Sequence, residues 1–173
     1  MVEHQNNDMG EKQIFTIGHS TRSFDELVKI LKYYNIGVLA DIRHFPRSRR
    51  NPQFNKEALE IKLPESGIQY IWIESLGGFR KGGYENYLKT NDFNEGLRSL
   101  IKIAKQKVTA VMCAELLWFR CHRRHIASTL TKKKWRVFHI YDEKKSEAHR
   151  VLGEKTKQLS LTFDDKVRKN SER

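Results

Sequence analysis

Cys113 and Cys121, the two cysteines of the chain, flank Glu115 and lead into Arg120, His122, Arg123 and Arg124. An apolar, β-branched run from Val108 enters the first cysteine, and a helical period follows the second. At such a strand-to-helix corner the helix N–H groups point outward, which suits anions and nucleophiles. Cys121 in a first helical turn, beside Arg120 and Arg123, would have a depressed thiol pKa and act as a nucleophile or help to cradle an anion. The opposing reading is a small buried hydrophobe. That reading is preferred for Cys113, at the end of an apolar strand. Glu115 suits a general acid or base if desolvated, or it offsets the arginines. Zinc accepts mixed nitrogen and sulfur sets, so Cys113, Cys121, His122 and His125 also invite a metal reading. Against it stand the missing Cys-x-x-Cys spacing and the neighbouring arginines, which oppose a dication.

A second group follows the apolar segment 13–18. His19 suits a general base or a phosphate donor, with a turn histidine bonded to local backbone as the plain alternative. Ser20 and Arg22 can each donate to an oxyanion. Asp41 and Arg43 close another apolar segment, where Asp41 orients Arg43 or a histidine, or completes an ion pair. Arg47, Arg49 and Arg50 crowd the loop beyond. Tyr84, Tyr87, Trp118 and Phe119 could stack on bases or pack as lids.

These residues need a scaffold, and the apolar periodicity supplies one. Segments 13–18, 36–42, 68–74, 108–114 and 135–141 read as strands. Between them, Ser23 has capping-box spacing to Glu26, and Phe24, Leu27, Val28, Ile30 and Leu31 keep the helical period. Asn55 can cap a helix to about Leu63, which Pro64 and Gly67 end. Segment 79–87 reads as an ordered loop with a helical turn, 92–105 as a helix, and 121–133 as another. Five strands alternating with helices imply an α/β fold. The expectation is one three-layer, Rossmann-like domain over 13–142, its five-stranded, largely parallel sheet covered by helices on both faces. Segments 1–12 and 143–173 read as polar tails. Right-handed crossovers put every strand's C-terminal end on one edge, so His19, Asp41, Arg43, Glu74, Cys113, Glu115 and Cys121 should gather there.

The 173 residues carry 33 Lys+Arg against 21 Asp+Glu, a formal charge of +12 that favours phosphate-bearing partners. No apolar run reaches membrane-span length and no signal segment is evident, so a cytoplasmic protein without a disulfide framework is expected.

With these residues in hand, the chain resembles the uncharacterised family known as domain of unknown function 488. The matching strings are Thr16-Ile-Gly-His-Ser-Thr-Arg22 and the run from Asp41 through Arg43, Pro46, Arg47, Arg49 and Arg50 to Phe54. Leu76-Gly-Gly78, Tyr84-Glu-Asn-Tyr87, Met112-Cys-Ala-Glu115 and Cys121-His-Arg123 extend the match over about 14–140. The resemblance implies a compact α/β domain and no agreed reaction. Segment 116–119 departs from the usual family pattern, being hydrophobic where that pattern is polar and acidic. An apolar patch there would suit a partner surface or a base-stacking wall.

Three functions compete. One is a phosphate- or nucleic-acid-binding domain, or a nucleic-acid-processing enzyme with a repair role. There His19, Glu115 and Cys121 serve as acid, base or nucleophile, while Ser20, Arg22, Arg43, Arg47, Arg49, Arg50, Arg120, His122 and Arg123 hold phosphates. Another is rhodanese-like sulfur chemistry at Cys121, although Cys121 to Arg123 and Cys113 to Arg120 do not match the spacing of that loop. The last is an interaction module docking a protein partner through Trp118 and Phe119. None requires a cofactor.

Overall fold

The computed structural model describes residues 12–151, so the expected tails 1–12 and 143–173 lie largely outside the described residues. The strands are β1 Gln13–Gly18, β2 Val38–Asp41, β3 Gln69–Trp72, β4 Thr109–Cys113, β5 Arg136–Ile140 and β6 Ser146–Ala148. The helices are α1 Phe24–Tyr33, α2 Lys56–Glu65, α3 Tyr84–Tyr87, α4 Asn91–Ala104 and α5 Arg123–Lys132. The sheet runs β3-β2-β4-β1-β5-β6, parallel except at β6.

The core follows from strand alternation, because successive side chains leave opposite faces. Phe15, Ile17, Leu39, Ala110 and Met112 pack against Leu27 and Leu31 of α1 and Leu59 and Leu63 of α2. Their neighbours Ile14, Ala40, Val111 and Val137 pack against Phe93, Leu97 and Leu100 of α4 and Ile126 and Leu130 of α5. At the start of α1 the capping box closes in both directions: the Glu26 N–H donates to Ser23 Oγ (3.1 Å), and the Ser23 N–H donates to Glu26 Oε2 (2.7 Å).

Three expectations change. The sheet has six strands, since the supposed tail returns through a turn at 141–145 and pairs β6 antiparallel to β5, Ile140 opposite Ser146. Helix α2 runs on to Glu65 with Pro64 inside its last turn. Both Pro64 and Glu60 are exposed, so water can serve the Glu60 carbonyl that a proline cannot. Asn55 stands at the N-cap of α2, but its side chain does not cap the helix. Instead Asn55 Oδ1 accepts from the Ser48 N–H (2.7 Å), and the Lys56 N–H donates to the Pro46 carbonyl (2.9 Å). Asn55 thereby braces the arginine loop. No helix among the described residues is long and apolar enough to cross a membrane.

Candidate functional site

Because five strands run parallel, β1, β2 and β4 deliver their last residues to one edge. From β1 the chain leaves to α1 on one face of the sheet, and from β4 it leaves to α5 on the other. Adjacent strands whose connections diverge open a crevice between them, the usual ligand position in such sheets. Here the β4–α5 connection fills that crevice with its own backbone. A Cβ on Gly18 would stand 1.9 Å from the Glu115 carbonyl oxygen, so only glycine fits beneath it.

Two buried arginines, Arg43 and Arg123, and the half-buried Arg22 hold this packing together. Arg123, 1% exposed, donates from Nη1 to the Glu115 carbonyl (2.8 Å) and from Nη2 to that of Leu116 (3.2 Å). Arg22 donates to the carbonyls of Gly18 and Tyr141. Arg43 forms a two-pronged pair with Asp41, Nε to Oδ1 at 2.9 Å and Nη2 to Oδ2 at 2.6 Å, and Nη2 also reaches the Phe54 carbonyl (2.6 Å). Tyr70 donates its hydroxyl to Asp41 Oδ2 (2.6 Å). Burial opposes the Arg43 charge, but the Asp41 carboxylate more than restores it. Arg22, Arg43 and Arg123 thus direct most of their donors to the fold, while Arg123 Nε is buried without a partner.

His19, also buried, stacks on Phe54 with centroids 4.4 Å apart, and its Nε2 lies 3.3 Å from Arg43 Nη1. Its Nδ1 lies 2.8 Å from the Ser20 carbonyl, and burial lowers the ring's pKa. One ring nitrogen thus bonds local backbone, as in the plain reading, and the other faces Arg43. Ser20 is half-buried at φ 50° and donates its N–H to the Ala114 carbonyl. Glu115 is exposed, and its carboxylate accepts from the Leu117 N–H (3.0 Å), so it is not desolvated.

The thiols differ most from expectation. Trp118–Arg120 forms a short 3-10 turn and α5 begins at Arg123, which leaves Cys121 extended (φ −115°, ψ 152°) ahead of the helix. The N–H of Arg123, the first helical residue, still reaches Cys121 Sγ at 3.4 Å, but Cys113 and burial outweigh its pull on the thiol. A hydrogen bond with Cys121 pulls the Cys113 thiol well below its ordinary pKa against the opposing effect of burial, helped by His122 and Arg123. The same bond and burial push the Cys121 thiol up. His122 completes the group. Its Nδ1 lies 3.9 Å from Cys113 Sγ and 3.6 Å from Cys121 Sγ, while Nε2 lies 3.1 Å from the Ile42 carbonyl oxygen. A carbonyl only accepts, so Nε2 carries a proton, and Nδ1 is the ring atom that faces both sulfurs. His125 is not among the clustered ligand atoms, which are those of Cys113, Cys121 and His122.

What remains exposed is a different set. Arg47 pairs with Glu57 at 2.6 Å, and Arg49, Arg50 and Arg120 are exposed. Trp118 is half-buried, stacked on His139 at 4.2 Å, and Phe119 stays exposed. Tyr84 and Tyr87 donate their hydroxyls to the Leu76 and Ser75 carbonyls and pack beside α4. Sequence reasoning missed Phe45 and Phe79, 66% and 88% exposed, whose rings meet with centroids 6.0 Å apart. Phe79 also holds φ 65°, a conformation bulky side chains avoid. Its setting between Gly-Gly and a further Gly-Gly pair was the available signal. A separate open groove, lined by Arg22, Glu26, Lys29 and Asp142, carries both signs of charge and holds none of the thiols.

The family described as "Domain of unknown function DUF488" matches residues 23–130. The chain belongs to this family. The DUF488 match includes Asp41, Arg43, Cys113, Cys121 and His122, and it begins after His19 and Ser20. No curated protein and no solved structure matches the chain.

Proposed function

We propose that the chain binds nucleic acid in single-stranded form where the loops carrying Phe45 and Phe79 meet, at the carboxyl edge of the sheet. The observation that carries this reading is the exposed ring pair, with Arg49 and Arg50 exposed on the loop that carries Phe45. Apolar rings this open to water gain by burial, and every base offers a π-face to stack on. The neighbouring guanidiniums supply sequence-independent phosphate contacts, and the surplus of +12 draws a polyanion toward them. The brace from Ser48 to Asn55 and the bond from Asn51 N–H to Ser48 Oγ (3.0 Å) support this by fixing the loop before a ligand arrives. Arg120 extends the basic surface from the β4–α5 connection.

Fluorescence anisotropy with a labelled single-stranded oligonucleotide tests the proposal. The wild type should bind at low salt, with log K falling linearly against log salt. Arg49→Ala with Arg50→Ala should reduce that slope by about two. Phe45→Ala with Phe79→Ala should weaken binding by about 1–3 kcal/mol per lost stack and keep the slope. Absence of binding at low salt, or unchanged binding by the Phe45/Phe79 double variant, overturns it. Binding of a protein instead would assign the ring pair to the interaction module.

A second reading, thiol chemistry, is favoured by the clustering of both thiols with His122, where the Cys113 pKa is lowered and that of Cys121 raised. It moves the nucleophile from Cys121 to Cys113.

A further inference from the structure

We propose that Cys113, Cys121 and His122 form a binding site for a thiophilic divalent cation of the zinc type, with one coordination position left open. Three ligand atoms, Cys113 Sγ, Cys121 Sγ and His122 Nδ1, lie within 4.8 Å of one another. A tetrahedral zinc site has bonds of about 2.3 Å to sulfur and 2.0–2.1 Å to nitrogen. Tetrahedral angles then set the sulfur–nitrogen edges at about 3.6 Å. The two such edges here measure 3.9 and 3.6 Å and the sulfur–sulfur edge is within 4.8 Å, so side-chain shifts of about an ångström or less close the group on an ion.

Several features serve such an ion. The Ile42 carbonyl accepts from the Nε2–H at 3.1 Å and leaves Nδ1 facing the sulfurs, the outer-shell arrangement common to metal-binding histidines. The Arg123 N–H donates to Cys121 Sγ at 3.4 Å, which would temper charge on a bound thiolate. A Cβ on Gly78 would come 2.9 Å from Nδ1, so glycine there keeps the approach to the nitrogen clear. Both cysteines would bind as thiolates, their protons released to solvent as the ion binds. The product, two thiolates, a neutral imidazole and a dication, has no net charge.

The arginines flanking the site do not oppose this. The Arg123 guanidinium is turned to the Glu115 and Leu116 carbonyls, and Arg124 is turned to the Phe119 carbonyl and His125. Two sulfur ligands and one nitrogen select zinc-type ions over magnesium or calcium, which take oxygen. Among the described residues no fourth such ligand joins the cluster. Three protein ligands with an open position are the pattern of zinc sites that engage water or a substrate.

The test uses the full chain, purified and kept reduced with a phosphine. Zinc is titrated against a chromophoric chelator, and cobalt(II) is bound in parallel. The wild type should take one equivalent of zinc, and the cobalt form should show thiolate-to-cobalt charge transfer with the intense visible bands of a tetrahedral site. Cys113→Ser and His122→Ala should each lose at least 100-fold in zinc affinity, and zinc should raise the Tm of the wild type but not of Cys113→Ser. His125→Ala should bind zinc as the wild type does. A wild type that binds no zinc, or a Cys113→Ser variant that binds it unchanged, overturns the proposal. So does an affinity lost equally in His125→Ala and His122→Ala. Oligonucleotide binding is a separate readout, and its loss or retention leaves this result standing.

Discussion

Arginine does two opposite jobs in this chain. Arg22, Arg43 and Arg123 are drawn inward to satisfy loop carbonyls and Asp41, whereas Arg49, Arg50 and Arg120 stand in water. In the sequence they form one basic population, because a guanidinium fork serves a carbonyl and a phosphate equally well. Only the return of the β4–α5 connection over Gly18 shows which carbonyls need donors. The distinction predicts contrasting stabilities. Arg43→Ala leaves Asp41 charged and fully buried, so urea unfolding should show a loss of about 3–5 kcal/mol. Arg49→Ala should change stability by less than about 0.5 kcal/mol. A loss below 1 kcal/mol for Arg43→Ala would contradict the structural role assigned to the pair. The thiols teach the same lesson. Sequence neighbours point to Cys121 as the activated thiol or a small buried hydrophobe, yet it is the Cys113 thiol whose pKa is lowered, by Cys121 and His122, partners that reach it only through the fold.

At the scale of elements, legibility followed local signals. The capping box announced α1, and alternating apolar runs announced the five parallel strands. Strand β6 escaped because Ser146, Glu147 and Ala148 have no apolar face and pair at an exposed edge. The start of α5 was misplaced by two residues because the 3-10 turn at Trp118–Arg120 continues the helix-like spacing. The decisive contact between elements is β1 beneath the β4–α5 connection. Gly18→Ala would put a methyl group 1.9 Å from the Glu115 carbonyl, a clash with backbone that no rotamer relieves. A thermal melt should show Tm lowered by several degrees or more, as for other overpacked core sites. A melt matching the wild type would mean that the connection is free to lift.

The strand order and the contacts it creates belong to the whole molecule, and no local pattern reveals them. One such contact is a chain of polar groups, buried at Thr16 and His139 and half-buried at His149 and Ser128, on the β1–β5 side of the sheet. Thr16 Oγ1 meets His139 Nδ1 at 2.7 Å, His139 Nε2 meets His149 Nδ1 at 2.9 Å, and His149 Nε2 meets Ser128 Oγ at 2.9 Å. Burial, with help from His149 and Arg123, pushes His139 down to about 2, and burial also lowers His19 and His149. The unfolded chain therefore takes up protons first. Stability should be level above about pH 6.5 and fall as the pH drops below it, since the folded histidines resist protonation. His139 alone accounts for up to about 1.4 kcal/mol per pH unit on that limb. Urea unfolding between pH 7.5 and 5, in roughly half-unit steps, should trace this fall, with a shallower slope in His139→Gln. A profile flat across that range would contradict it.

The account rests on the carboxyl edge of the sheet being the working surface. Amide chemical shifts of the isotope-labelled chain, followed as a single-stranded oligonucleotide is added at low salt, test that most directly. The perturbed amides should cluster in 44–50, 77–82 and 118–121, with the outer faces of α1 and α2 unmoved. Perturbations spread over those helices, or confined to the groove lined by Arg22, Lys29 and Lys144, would contradict it.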